Sequence, residues 1–242
     1  MAMSNRTAHA SWRLHGLTLS RDGRTVLAGL DGDFRSGTAT AVVGPNGIGK
    51  STLLAALAGR LAASAGRIER PASDRVAELT QADAVDRRFP IDLKGYVATG
   101  LWPLLGPWRG TGPAERRALA EVMAQFDLVA LADTPLAALS AGQWQRARLA
   151  RVWLQDADLL LLDEPHTALD RASALRLDAR LREAVAQGRT VVAVLHERHP
   201  LPELFDQVLA LEPDAAGGPA RSRSWGPVRP SAPQAVPWPC EA

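Results

Sequence analysis

The stretch Gly44-Pro45-Asn46-Gly47-Ile48-Gly49-Lys50-Ser51-Thr52 restricts the fold of this chain more than any other part of it. Two glycines bracket four variable residues and are followed at once by a lysine and two hydroxyl side chains. That spacing turns successive backbone N–H groups inward around a phosphate. The flanks suit it: TATAVV before the loop reads as a buried strand, and KSTLLAALAGRLAAS after it as a helix expected to run until Ala65-Gly66 breaks it. A helix starting here adds the partial positive charge of its N-terminus. Lys50 is then placed to reach the β- and γ-phosphates of a nucleotide, and Ser51 to hold Mg²⁺. The plain alternative is a glycine-rich turn with a solvated lysine, and the full spacing with both flanks argues against it.

The rest of the chain supplies a sheet for that loop. WRLHGLTLS and RTVLAGLDGDF, joined at Asp22-Gly23, read as short strands with a tight connection. DRVAELTQ, DLLLLDEP and RTVVAVL are further strands, the last ending at His196. Helices alternate with them, which implies an α/β fold with a mostly parallel sheet covered on both faces. One helix is expected to start at Ser140 as its N-cap, with Trp144, Ala147, Ala150 and Leu154 on one side. Another, ALDRASALRLDARLREAVAQ, is closed by Gly188. Roughly residues 85–155, the Ser140 helix included, are expected to form an inserted helical subdomain, interrupted by LWPLLGPWRGTGP, which is too rich in glycine and proline to stay helical. From 213 to 242, Pro, Gly, Ser and Ala dominate and periodicity disappears, so residues 1–212 are expected to form one domain followed by a loosely packed tail.

Asp163 and Glu164 end a strand of four leucines, at the carboxyl edge where ligands sit in open α/β sheets. Asp163 is the candidate to orient Mg²⁺, and Glu164 the general base for an attacking water. By itself this pattern is weak, since such carboxylates often only cap the next helix. Beside a phosphate loop it gains meaning.

Leu139-Ser140-Ala141-Gly142-Gln143, about twenty residues before the carboxylates, resembles the signature motif of the ABC ATPase family. Gln81 after a strand, Thr167-Ala168-Leu169-Asp170 after the carboxylates, and His196 at a strand end complete that family's ordered set, and the resemblance extends to about residue 211. It implies a P-loop NTPase core with an N-terminal antiparallel β subdomain, binding ATP with Mg²⁺. It also implies a dimer in the ATP-bound state, with Ser140, Gly142 and Gln143 of one chain closing the γ-phosphate side of the other. Gln81 would sense Mg²⁺ or the attacking water, His196 would contact the γ-phosphate, and Asp170 would lie near the second site.

Two departures from the family pattern stand out. Arg21 occupies the place of an aromatic that stacks on adenine, and it is either a stacking guanidinium or an exposed turn residue. Ala141 stands where glycine is usual, a change that a helix start tolerates. The segment from Arg88 to Trp102 resembles the region after the glutamine loop in ATPase subunits of zinc and manganese importers. There Phe89, Leu93, Val97 and Trp102 either dock a membrane permease or belong to the subdomain core.

The expected partners are therefore permease subunits and, indirectly, an extracytoplasmic binding protein, with the chain held at the cytoplasmic face of the membrane. No run is long enough to cross a bilayer, the formal net charge is only +2 with its basic residues dispersed, and the single cysteine, Cys240, excludes an internal disulfide. Nucleic acid is not an expected partner. No N-K-x-D element reads guanine, and neither tandem ATPase units nor long coiled-coil insertions point to a ribosome- or DNA-directed relative. His196 and His199 are spaced three apart, but Pro200 argues against a helical metal site, and the tail arginines Arg221, Arg223 and Arg229 are expected to be solvated.

Overall fold

The computed structural model describes residues 11–71, 75–81, 85–106, 110–195, 204–214 and 218–227, with side chains described as far as 222. An antiparallel hairpin opens the chain: β1 (Trp12–Arg21) and β2 (Arg24–Phe34) turn at Asp22 and Gly23, whose φ values of 50° and 75° suit a two-residue hairpin turn. Next come β3 (Ala39–Val43) and α1 (Lys50–Leu57), then β4 (Ala65–Glu69), which returns to pair with β1, and β5 (Val76–Leu79).

The helix after the phosphate loop is shorter than the sequence suggests. Gly59 has φ 80°, Gly59 N–H donates to Ala56 C=O at 3.0 Å, and Arg60 N–H donates to Ala55 C=O at 2.9 Å. This is the Schellman closure that glycine permits at the end of a helix, and it wins over the good propensity of the residues beyond it.

The helical part comprises α2 (Leu93–Ala98), α3 (Trp102–Leu105), α4 (Pro113–Gln125) and α5 (Ala141–Trp153). α3 is a single turn inside the segment expected to be non-helical; Pro103 sits in its first turn, where a missing N–H costs nothing, and Gly106 at φ 68° ends it. α5 begins as expected, with the Ser140 hydroxyl accepting from Gln143 N–H at 3.2 Å and the Gln143 side chain accepting from Ser140 N–H at 2.8 Å, a complete capping box. The chain then forms β6 (Leu159–Asp163), α6 (Arg171–Ala186), β7 (Thr190–Val194), β8 (Gln207–Glu212) and β9 (Arg221–Pro227).

Two sheets result, β2-β1-β4 and β5-β6-β7-β3-β8-β9, the second parallel except for its β8–β9 edge. Along β6 the leucines alternate between faces. Leu159 and Leu161 pack with the antiparallel sheet and α1, whereas Leu160 and Leu162 face the core shared with the helical elements. Burial on both faces explains why this strand reads as an unbroken apolar run.

The sheet continues beyond residue 212. Within the stretch read as a tail, β9 pairs with β8, and buried Ala220 exchanges backbone hydrogen bonds with Val26 and Ala28 at 2.9 and 3.0 Å. That bridge ties the end of the large sheet to β2, beside the phosphate loop. No helix among the described residues is long and apolar enough to cross a membrane.

Candidate functional site

The site lies at the carboxyl ends of β3 and β6. From β3 the chain enters the loop through Gly44 (φ 149°), passes Gly47 (φ 78°), and starts α1 from Gly49 (φ 110°). At Gly44 a Cβ would lie 2.6 Å from Leu211 C=O, and at Gly49 2.7 Å from the Val26 side chain, so both positions exclude any larger residue. A Cβ at Gly47 would meet nothing within 4 Å, because that side faces an open cleft.

The cleft measures about 450 Å³. Its lining comprises Asn46, Gly47, Gly49, Lys50, Ser51 and Thr52 of the phosphate loop and α1, together with Gln81, Asp163 and Glu164, and Arg21 with Val26 of the hairpin. Lys50 Nζ donates to Gly44 C=O at 2.5 Å and to Pro45 C=O at 2.9 Å, so Pro45 contributes through its backbone. Ser51 Oγ donates to Asp163 Oδ2 at 2.7 Å, joining the start of α1 to the end of β6 across 112 residues of chain.

Asp163 is buried, and its Oδ1 has no hydrogen-bond partner within the protein. Burial pushes its carboxyl above the usual aspartate range, against the Ser51 hydroxyl, and the neighbouring Glu164 pushes the same way. A buried carboxylate with one oxygen unpaired and the other accepting from a serine hydroxyl matches the oxygen-donor set that Mg²⁺ takes.

Glu164 follows with φ 50°, and Ala168 with φ 64°, two non-glycine residues in left-handed backbone within one loop. Such conformations cost about 1 kcal/mol each and persist where surroundings enforce them. Glu164 N–H donates to Val194 C=O at 3.1 Å, Thr167 Oγ1 donates to Glu164 Oε2 at 3.3 Å, and His166 Nε2 lies 2.8 Å from Asp178 Oδ1. Asp170 closes the loop as the N-cap of α6, accepting from Ser173 N–H at 2.7 Å, which holds its carboxyl below the usual range.

Ser140, Gly142 and Gln143 do not line the cleft. Ser140 is exposed at the start of α5, where a Cβ on Gly142 would lie 3.0 Å from Ala168 C=O. His196 and His199 lie outside the described residues. The same holds for Cys240, Arg229 and the side chain of Arg223, while Arg221 is exposed.

Three contributors were not legible as site residues. Val26 walls the cleft next to Arg21, a neighbourhood that follows once the hairpin register pairs Arg21 with Arg24. Gln145, buried, donates through Nε2 to Pro165 C=O at 2.9 Å and accepts from Arg148 Nη1 at 2.9 Å. Arg148 Nη2 in turn donates to Thr80 C=O, next to Gln81. α5 is thereby fastened to the loops carrying Gln81 and Glu164. Nothing in local spacing reveals this, because the partners lie 20 and 68 residues away.

The fold is that of an ATP-binding cassette. A family model described as ABC transporter matches residues 27–167. The chain is 36% identical over 217 residues to the zinc transport system ATP-binding protein TroB of Treponema pallidum, the match covering 87% of this chain and 81% of the relative. It is 40% identical over 219 residues to the hemin import ATP-binding protein HmuV of Streptomyces coelicolor, covering 84% and 76%. Among solved structures, an inward-facing transporter of metal-chelate type superposes with a TM-score of 0.72 at 25% identity, covering 83% of this chain and 79% of that one. The chain belongs to the ABC transporter family as an ATP-binding, ATP-hydrolysing subunit. Subunits of this class act with membrane permeases and as dimers.

Proposed function

We propose that this subunit energises import of a divalent metal ion such as zinc or manganese, through a composite ATP site built from two copies of the chain. The observation that carries the two-chain reading is a division within one molecule. Lys50, Ser51, Gln81, Asp163 and Glu164 converge on one cleft, while Ser140, Gly142 and Gln143 cap a helix elsewhere. A second chain presenting its α5 would bring a helix N-terminus, with donors and partial positive charge, to the open side of the cleft.

In this reading Lys50 exchanges its two carbonyl partners for β- and γ-phosphate oxygens. Asp163, Ser51 and Gln81 would hold Mg²⁺, which when bound neutralises phosphate charge. Glu164 accepts a proton from the attacking water, and Gln81 and His196 orient that water at the γ-phosphate. Arg21 and Val26 offer the base a planar cation and an apolar wall. Hydrolysis removes the γ-phosphate that joins the two halves, so chemistry opens the dimer.

Phe89 and Trp102, 61% and 68% exposed, support a permease-docking surface on the helical part, and Leu104 is exposed as well. Leu93 and Val97, the other two candidates, are fully buried and belong to the core. The subunit would then sit at the cytoplasmic face of the membrane, held there by the permease, with a binding protein delivering cargo from the other side.

The zinc relative supports metal-ion cargo. The hemin relative, at higher identity, favours a second reading in which the cargo is a metal chelate. Purification from native membranes in mild detergent, with Mg-ATP hydrolysis assayed in the same sample, tests this. A copurifying multispanning permease whose ATPase is stimulated by a zinc- or manganese-loaded binding protein supports metal-ion import. Stimulation by a hemin-loaded protein moves the cargo to a chelate, and recovery with ribosomes or DNA and no membrane protein overturns transport.

A further inference from the structure

Residues 85–92 lead into α2 and carry the exposed Phe89, and among them Arg87 makes contacts that the ATP site as described does not use. Its Nε and Nη2 donate to Leu136 C=O at 3.1 and 3.0 Å, and Nη2 also donates to Leu139 C=O. Leu139 immediately precedes Ser140, the N-cap of α5. The guanidinium also lies 5.7 Å from the ring of Trp144, in the first turn of α5, and the Trp144 ring packs against that of Tyr96 of α2, 4.7 Å away and tilted by 43°. One side chain thus grips both the last turn before the signature helix and that helix's own first turn.

The grip has a direction. The Leu139 carbonyl stands one residue ahead of the helical ladder, whose first bond runs from Trp144 N–H to Ser140 C=O at 2.9 Å, so α5 gives it no intrahelical donor. Arg87 supplies one, and through it sets the approach of the chain to Ser140. Its charge is unexpected for a merely structural tie, because a cation near a helix N-terminus opposes the macrodipole. The same charge becomes favourable once an anion arrives at that terminus. Two residues further along the chain is Phe89.

We propose that Arg87 is a positioning residue for the second chain's ATP site: it fixes Ser140 and Gly142 for contact with the partner's γ-phosphate and connects that contact mechanically to the docking segment at Phe89. The inference rests on the two-chain site proposed above. Arg87 touches neither nucleotide nor the reacting atoms; it acts through the backbone at Leu139 and the ring of Trp144.

The test uses the full chain carrying Glu164→Gln, which is expected to hold ATP without cleaving it. Dimer formation in MgATP is read by light scattering, and MgADP affinity by a fluorescent ADP analogue. ADP lacks the γ-phosphate, so its binding reports the cleft alone. Adding Arg87→Ala is expected to weaken ATP-driven dimerisation by about tenfold or more, the range of a lost charge-assisted hydrogen bond, while MgADP affinity stays within about twofold. Arg87→Lys, which keeps the charge but not the fork, is expected to recover part of the loss, and Arg87→Gln less. Arg116→Ala, which removes an exposed arginine whose side chain donates to nearby Thr111 C=O, is expected to change neither reading.

Parental dimerisation in Arg87→Ala overturns the proposal, as does an equal loss of ADP binding. Should Arg87→Ala fail to fold, Arg87→Lys carries the test, and parental dimerisation in that variant overturns it equally. If the Arg87-intact Glu164→Gln chain stays monomeric in MgATP, the two-chain reading itself falls and takes this inference with it.

Discussion

Replacing Asp163 by asparagine is expected to make the nucleotide-free protein more stable and the MgATP-bound protein less so. The buried Asp163 carboxyl is held above the usual aspartate range by desolvation, with Glu164 adding to that effect, and one of its oxygens has no partner. The folded chain therefore binds this proton more tightly than the unfolded chain. Stability falls as pH rises from the ordinary aspartate value of about 3.9 through the raised folded value, and the penalty is complete above that folded value.

Asparagine keeps an acceptor for Ser51 Oγ and removes the charge. Relief of a strained functional group stabilises by about 0.5–2 kcal/mol. For a chain of this size, 1 kcal/mol moves Tm by roughly 2–4 °C, so the variant should melt about 1–8 °C higher at pH 7. In saturating MgATP the order reverses, because a ligand at a hundred times its Kd adds about 2.7 kcal/mol to the parent and little to a variant lacking the Mg²⁺ ligand. Scanning calorimetry at pH 7 and pH 5, with and without MgATP, measures all four cases. The gain without nucleotide should shrink at pH 5. A lower Tm for Asp163→Asn at pH 7 without nucleotide, or an undiminished MgATP response, would refute the assignment.

Four further outcomes are expected. Lys50→Ala should abolish measurable hydrolysis and weaken MgATP binding, since the cleft loses its phosphate cation; steady-state kinetics and equilibrium dialysis check this, and unchanged values remove Lys50 from the site. Gly49→Ala should lower Tm and ATP affinity together, because a Cβ would press on Val26 at 2.7 Å from a backbone at φ 110°; a parental melting curve would contradict the geometry. Phe89→Glu should leave the melting transition intact while uncoupling ATPase from transport in proteoliposomes. Leu93→Ala should cost about 2–5 kcal/mol of stability, and the reverse pattern would exchange their assignments.

Local chemistry was readable wherever one short segment carries it. The phosphate loop, the Ser140 cap and the β6 carboxylates are written in contiguous residues, and their elements formed as the spacing required. α1 ends before propensity alone predicts, because propensity favours continuation while Gly59 favours closure, a competition that hydrogen bonding at the helix end decides. β9 was hidden because proline and glycine around it suppress periodicity, and its pairing with β8 depends on the sheet already being in place. That Leu93 and Val97 are core residues likewise depends on the packing of α2 on α5, whereas Phe89 and Trp102 lie on either side of α2 in the chain and stay exposed. Least legible were the arginine ties. Arg87 and Arg148 bind carbonyls 49 to 68 residues away, and a backbone carbonyl leaves no mark in a sequence.

The most direct test of a site shared by two chains is complementation between two inactive variants. Ser140→Arg blocks the signature helix and leaves the cleft intact, whereas Lys50→Ala disables the cleft and leaves the signature helix intact. In a mixed dimer one complete site is rebuilt, from the first variant's cleft and the second variant's α5. Random pairing of equal amounts should restore about a quarter of parental ATPase activity, since each subunit of a two-fold dimer contributes to both sites. Recovery in the mixture, with each variant inactive alone, is the predicted result; full activity of Ser140→Arg by itself, or a mixture as inactive as its parts, would contradict a site completed by the second chain.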